Sequence, residues 1–217
     1  MRFVETHWRV AAAAAIGALG AGCASNEISS QAPSAAAPTA VVAQAPAAPV
    51  NPAVQQAFDD ARRAMAAGQA QQAERGFRAL TQSNPELGGP HANLGLMYRQ
   101  SGKLPEAVPE LEAAVRASPQ QPAYLNQLGV AYRQQGQFDK AREAYERAIA
   151  LAPDYAVPQL NLAILYDLYL GDSKRALEQY ERYLSLTPAG DTTVTKWVID
   201  LRNRAPQTLA ANAKERP

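Results

Sequence analysis

Between residues 54 and 190, apolar residues recur three and four positions apart in short runs, each bounded by a glycine on one side or a proline on the other. This is the pattern of amphipathic helices arranged in pairs. The segment LGLMYRQSGKLPEAVPELEAAVRASP at 94–119 returns as LGVAYRQQGQFDKAREAYERAIALAP at 128–153. Aligned on the alanine that follows each turn, Ala73, Ala107, Ala141 and Ala176 are 34, 34 and 35 residues apart. Units of that length cannot bury an apolar face alone and must stack on their neighbours.

The punctuation is consistent along the stretch. Gly68, Gly102, Gly136 and Gly171 end the first helix of each pair, where a left-handed residue stops a helix at little cost. Asp139 and Asp172 favour the start of the second, and Pro85, Pro119, Pro153 and Pro188 stop it. Gly95, Gly129, Ala107 and Ala141 let helices approach closely, with Tyr98, Tyr132 and Tyr145 filling the adjoining space. Two irregularities stand out. Pro109 leaves the carbonyl of Pro105 without its helical donor and predicts a mild bend, and one extra residue falls in LYLGDSK at 168–174.

The predicted units are 54–87, 88–121, 122–155 and 156–190. An amphipathic helix over 191–204, with Val194, Trp197, Val198 and Leu201 on one face, covers the last of them. This puts Trp197 in the core; the alternative is an exposed partner site formed by Trp197 and Val198. Residues 205–217 read as a disordered tail.

These residues carry a resemblance. Leu94, Gly95, Tyr98, Ala107, Leu111, Ala114 and Pro119, then Leu125, Leu128, Gly129, Tyr132, Ala141, Tyr145, Ala148 and Pro153, match the tetratricopeptide repeat pattern. A fourth unit keeps Leu162, Ala163, Tyr166, Ala176, Tyr180, Tyr183 and Pro188, and a degenerate first keeps Ala61, Ala64, Ala73, Phe77, Leu80 and Pro85. The chain thus resembles an all-α, right-handed tetratricopeptide solenoid of about four repeats with a C-terminal capping helix. In that family the first helix of each pair lines an inner groove. The resemblance places Phe58, Arg62 and Met65 there, with Ala92, Leu96, Arg99 and Gln100, with Asn126, Val130, Arg133 and Gln134, and with Leu160, Ile164, Asp167 and Leu168.

Arg99 and Arg133 stand 34 residues apart in matching YRQ contexts, so they stack as a short basic ladder beside an apolar strip of Leu96, Val130 and Ile164. Such a surface suits an extended or helical protein segment with interspersed acidic residues; the bland alternative is a solvated face copied by repeat duplication. The mode in which family members hold a C-terminal carboxylate with lysines and asparagines does not fit, because Ala92 and Asn126 stand at the lysine positions and Leu96 and Val130 at the asparagine positions.

The N-terminal stretch has a different composition. Arg2 and Arg9 precede an apolar run from Val10 to Ala21, long enough for a signal peptide and short for a membrane span. LGAGC at 19–23 resembles a lipobox, which implies a signal peptide over 1–22 and a lipidated Cys23; the alternative is an ordinary signal peptide cut nearby. Ala24 follows the cysteine, which implies the outer membrane, facing the periplasm, if the host is Gram-negative. Residues 23–52 are rich in Ala, Pro, Ser and Gln and read as a disordered tether. Stretched, it reaches on the order of 80–90 Å. A single cysteine means no structural disulfide.

Catalytic chemistry finds no footing. His7 leaves with the signal peptide, and His91 opens the second unit at a packing position. No Cys–His pair, no histidine-based metal cluster and no phosphate-cradling loop can be assembled, so the expectation is a non-enzyme with no cofactor, metal or small-molecule substrate. Nucleic acid is excluded as a partner on charge: removing Arg2, Arg9 and Glu5 from 21 basic and 20 acidic residues leaves 19 of each. By analogy with tetratricopeptide lipoproteins of similar layout, the expected role is a membrane-anchored adaptor for pilus or secretin assembly. The alternative is a regulator that recruits periplasmic cell-wall enzymes.

Overall fold

The computed structural model describes residues 51–214, with side chains described as far as Arg204. The signal peptide, Cys23 and all but the last two residues of the tether lie outside the described residues. Nine α-helices and no strand occur within them. They are α1 (Pro52–Ala66), α2 (Ala70–Ser83), α3 (Gly88–Gln100), α4 (Leu104–Ala117), α5 (Pro122–Gln134), α6 (Phe138–Leu151), α7 (Ala156–Leu165), α8 (Ser173–Ser185) and α9 (Thr192–Lys214), with a π-helical turn over Tyr166–Leu170 continuing α7. Consecutive helices pack as antiparallel neighbours, and the first helices of adjacent pairs, α3 with α5 and α5 with α7, touch one another.

Glycine closes the tight turns within pairs. Gly102 and Gly136 have φ of 76° and 75°, so the chain reverses and the next amide reaches back: Lys103 N donates to Tyr98 O at 2.8 Å, and Gln137 N to Tyr132 O at 2.9 Å. The expected start signals divide. Asp172 caps α8 by accepting from Arg175 N at 3.0 Å, whereas Asp139 lies inside the first turn of α6 and pairs with Arg142 at 3.3 Å. Pro109 sits within α4, which runs unbroken from Leu104 to Ala117.

Close approach of helices is concentrated at glycine. A Cβ on Gly129 would lie 2.6 Å from Cε1 of the fully buried Tyr145, so only glycine lets α5 rest on that ring. The core runs along the stack in two clusters. One joins Phe58, Phe77, Leu80, Leu94 and Tyr98; the other runs from Leu111 through Tyr124, Tyr145 and Tyr180 to Val194, Val198 and Leu201 of α9.

The repeat tyrosines staple one unit to the previous one. Tyr98, Tyr132 and Tyr166 direct their hydroxyls at Glu74 (3.4 Å), Glu112 (2.6 Å) and Glu146 (3.3 Å) on the second helix of the preceding pair. Each ring also carries a cation from its own unit: Lys103 at 5.7 Å, Lys140 at 5.3 Å and Arg175 at 5.6 Å from the centroid. His91 is another staple, with Nδ1 2.6 Å from Glu110 Oε2 and Nε2 3.2 Å from Pro85 O.

The extra residue of the fourth unit is absorbed inside the helix. Tyrosine precedes its turn glycine by four positions at 98–102 and 132–136 but by five at 166–171, and the surplus widens one turn of α7 into the π turn. The C-terminus also differs from expectation. α9 continues through Lys214, so the segment 205–217, expected as a disordered tail, is helical as far as that residue. Its alanines and leucine form no amphipathic stripe to read from the sequence, yet they have high helix propensity. Asp191 caps this helix, accepting from Thr193 N at 2.9 Å and Val194 N at 3.0 Å. Trp197 is not a core residue: one side of its ring meets Tyr180 at 5.8 Å between centroids, and it remains 39% exposed.

Candidate functional site

The surface formed by α3, α5 and α7 is held together by polar contacts as well as by packing. Arg99 Nη2 at the end of α3 donates to Gln127 Oε1 of α5 at 3.3 Å. Asn161 Nδ2 of α7 donates to Asn126 Oδ1 of α5 at 2.9 Å. Both contacts link equivalent helices of successive repeats, so the register along this surface is specified by hydrogen bonds.

Arg99 and Arg133 occupy matching places in the last turns of α3 and α5, where a cation interacts favourably with the carbonyl end of the helix dipole. Both are half-buried, and the Nε of each is buried with no hydrogen-bond partner. Among the described residues neither forms an ion pair, whereas Arg62, Arg78, Arg142 and Arg175 each have an Asp or Glu within 4 Å. Arg75, Arg147 and Arg182 form no ion pair among the described residues either, but they are exposed, and water supplies the compensation there. Burial lowers the pKa of Arg99; Tyr145 opposes that shift and the like charge of Arg133 adds to it. Burial likewise pushes the Tyr145 hydroxyl up to about 12, with Arg133 and Arg99 pulling the other way. The result is a patch of concentrated positive potential over a low-dielectric floor.

The other residues expected in the groove fall into distinct groups. Gln100 and Gln134 are exposed beside the arginines. Val130, Leu160 and Ile164 are half-buried and pack on the core beneath, while Leu96 and Asn126 are buried. Phe58 is buried against Phe77, with centroids 5.9 Å apart, and Arg62 lies over its ring at 5.8 Å. Phe58 therefore belongs to the core of the first pair. Asp167 does not offer a free carboxylate: its side chain is 8% exposed, accepts from Tyr180 OH at 3.4 Å and pairs with Arg204 of α9 at 3.8 Å.

Two contributors escaped the sequence reading. Gln127 sits beside the packing leucine of its helix and gave no signal. Tyr169, brought forward by the π turn, lies against Phe138 at 5.1 Å between centroids, with the Arg133 guanidinium 5.7 Å from its own ring centre. A one-residue insertion was the only sequence clue to it.

Among the described residues no group of His, Cys, Asp and Glu is arranged to hold a metal ion, and no helix is long and apolar enough to cross a membrane.

Comparison with known proteins gives the same architecture. The tetratricopeptide repeat family profile matches residues 58–122 and 92–156. No curated protein sequence matches this chain. Among solved structures, pilF of Pseudomonas aeruginosa is similar at 20% identity and a TM-score of 0.64, over 74% of this chain and 72% of that one. The MamA protein is similar at 21% identity and a TM-score of 0.59, over 76% and 96%. The first tetratricopeptide domain of Spaghetti, solved with the HSP90 peptide SRMEEVD, is similar at 22% identity and a TM-score of 0.51, over 54% and 90%. At these identities the likeness is one of fold.

Proposed function

We propose that this all-α tetratricopeptide-repeat chain is a protein-interaction scaffold that holds an acidic segment of a partner against α3, α5 and α7, and that a lipid on Cys23 tethers it to a bacterial envelope membrane. The observation that carries the binding reading is the pair of half-buried guanidiniums, Arg99 and Arg133, that have no carboxylate of their own. Desolvated cations without counter-charges are costly to a fold, and a partner's carboxylates supply bidentate hydrogen bonds that offset that cost. The peptide bound to the Spaghetti domain is an instance of the same fold receiving an acidic segment. The tether and anchor are supported by the lipobox-like LGAGC and the Pro- and Ala-rich stretch after it.

Within that class, assembly of pilus or secretin machinery is the first candidate, on the resemblance in layout. The test is genetic and biochemical together. The Arg99→Glu plus Arg133→Glu variant, at normal abundance and helicity, should reproduce the deletion phenotype, and Cys23→Ser should abolish fatty-acid labelling. Lost piliation on deletion supports the assembly role; altered cell shape or lysis replaces it with recruitment of cell-wall enzymes. A fully active Arg99→Glu plus Arg133→Glu variant removes this surface as the site.

A further inference from the structure

We infer that the π turn of the fourth repeat builds the specificity end of this surface, so that the segment bound there carries a large apolar side chain next to the acidic residue held by Arg99 and Arg133. The inference rests on the binding reading above and adds the partner's chemistry to it. In the second and third repeats the residues between the repeat tyrosine and the turn glycine are polar, Arg-Gln-Ser and Arg-Gln-Gln; in the fourth they are Asp-Leu-Tyr-Leu. Three consecutive large apolar residues on a helix cannot all face a core. Here Leu168 is 67% exposed, Tyr169 47% and Leu170 37%. The patch is therefore not inherited from the repeat pattern. It arises where the helix departs from α geometry, and single π turns are concentrated at functional places in proteins.

The geometry joins this patch to the cations. Tyr169 rests on Phe138 at 5.1 Å and offers its ring to the Arg133 guanidinium at 5.7 Å. A guanidinium held by an aromatic ring keeps its N–H groups for a carboxylate. An occupant paired to Arg133 meets the Tyr169 ring beside it, and the exposed Leu168 precedes Tyr169 in the same π turn. The commitment to an acidic peptide follows from charge complementarity: the described residues provide no carboxylate to either arginine, so the occupant supplies one, and half-buried guanidiniums hold a peptide carboxylate bidentately.

The experiment selects binders to the full chain from a random octapeptide library and then measures the selected peptide by fluorescence anisotropy. Two altered forms are compared with it, one with its apolar residue changed to serine and one with its acidic residues changed to amides. The expected consensus places Asp or Glu beside Leu, Ile, Phe or Met. The serine form should bind about tenfold more weakly, as burial of one large side chain implies, and the amide form should lose binding. Leu168→Ser plus Tyr169→Ser should erase the difference between the parent and serine forms while leaving acid-dependent binding. If that pair of changes disturbs folding, Leu168→Ser alone, at a side chain mostly in solvent, should narrow the difference. An acidic consensus without an apolar neighbour, sensitive to Arg99→Gln plus Arg133→Gln, overturns this inference and leaves the binding reading standing. Binding insensitive to the arginine changes, or no selected binder, overturns both, and self-association through Leu168 identifies the occupant as a second copy and overturns the inference.

Discussion

Replacing Gly129 with alanine is the sharpest test of how α5 packs on α6. The added Cβ would stand 2.6, 2.7 and 3.0 Å from Cε1, Cδ1 and Cζ of Tyr145. That ring is fully buried, so it cannot swing aside without displacing other core residues, and the two helices must move apart instead. Overpacking of this kind costs about 1–3 kcal/mol. Against it stands the gain from removing glycine from a helix interior, about 1 kcal/mol. The clash is the larger effect, and the expected net change is a loss of up to about 2 kcal/mol in urea unfolding of the full chain followed by circular dichroism. Tyr145→Leu vacates the space at a cost of its own. In that background Gly129→Ala should be neutral or stabilising by up to about 1 kcal/mol, so the two changes should be coupled by about 2 kcal/mol. Gly129→Ala as stable as the parent chain, with no coupling to position 145, would refute the close contact.

Three further outcomes are expected. Stability should fall at alkaline pH: the Tyr145 hydroxyl is raised from about 10 unfolded to about 12 folded, so its contribution is fully present below pH 10 and is lost between about pH 10 and 12, a change of about 2–3 kcal/mol. Urea titrations at pH 9 and 11, with tyrosinate absorbance followed in parallel, check this; Tyr145→Phe should reduce the slope by the Tyr145 share and leave the part carried by Tyr124, Tyr132 and Tyr180, whose hydroxyls burial also raises. Arg99→Met should change stability by no more than about 1 kcal/mol while abolishing partner binding, because removing a half-buried cation that has no carboxylate offsets the loss of its hydrogen bond to Gln127 Oε1; paired unfolding and binding measurements check both halves. Asp191→Ala should cost about 0.5–2 kcal/mol and should expose α9 to proteolysis first, since Asp191 holds Thr193 N, Val194 N and the Tyr183 hydroxyl together.

The helices and their pairing were legible because each boundary has a local cause: a left-handed glycine, a stopping proline, a stripe at three and four. The matching places of Arg99 and Arg133 in the last turns of α3 and α5 were legible for the same reason, since the YRQ context recurs. Non-local causes were hidden. Asp167 occupies a groove position of its repeat, but its fate depends on Arg204 on α9, 37 residues on. Phe58 depends on Phe77 across the first turn. The insertion at 168–174 could be counted but not placed, because an extra residue can lengthen a loop or widen a helix; the retained Gly171 cap, with Asp172 N donating to Tyr166 O at 3.0 Å, fixes the turn and leaves the helix to absorb it.

Occupancy of the face carrying Arg99 and Arg133 can be read directly in cells. A photoreactive residue at Gln100, exposed next to Arg99, should crosslink in cells to a specific protein, and the adduct should disappear when Arg99→Glu plus Arg133→Glu is added. The same probe at Arg147, exposed on α6, should give no such adduct. Capture from Arg147 but not from Gln100, or a Gln100 adduct indifferent to the arginines, would contradict the account.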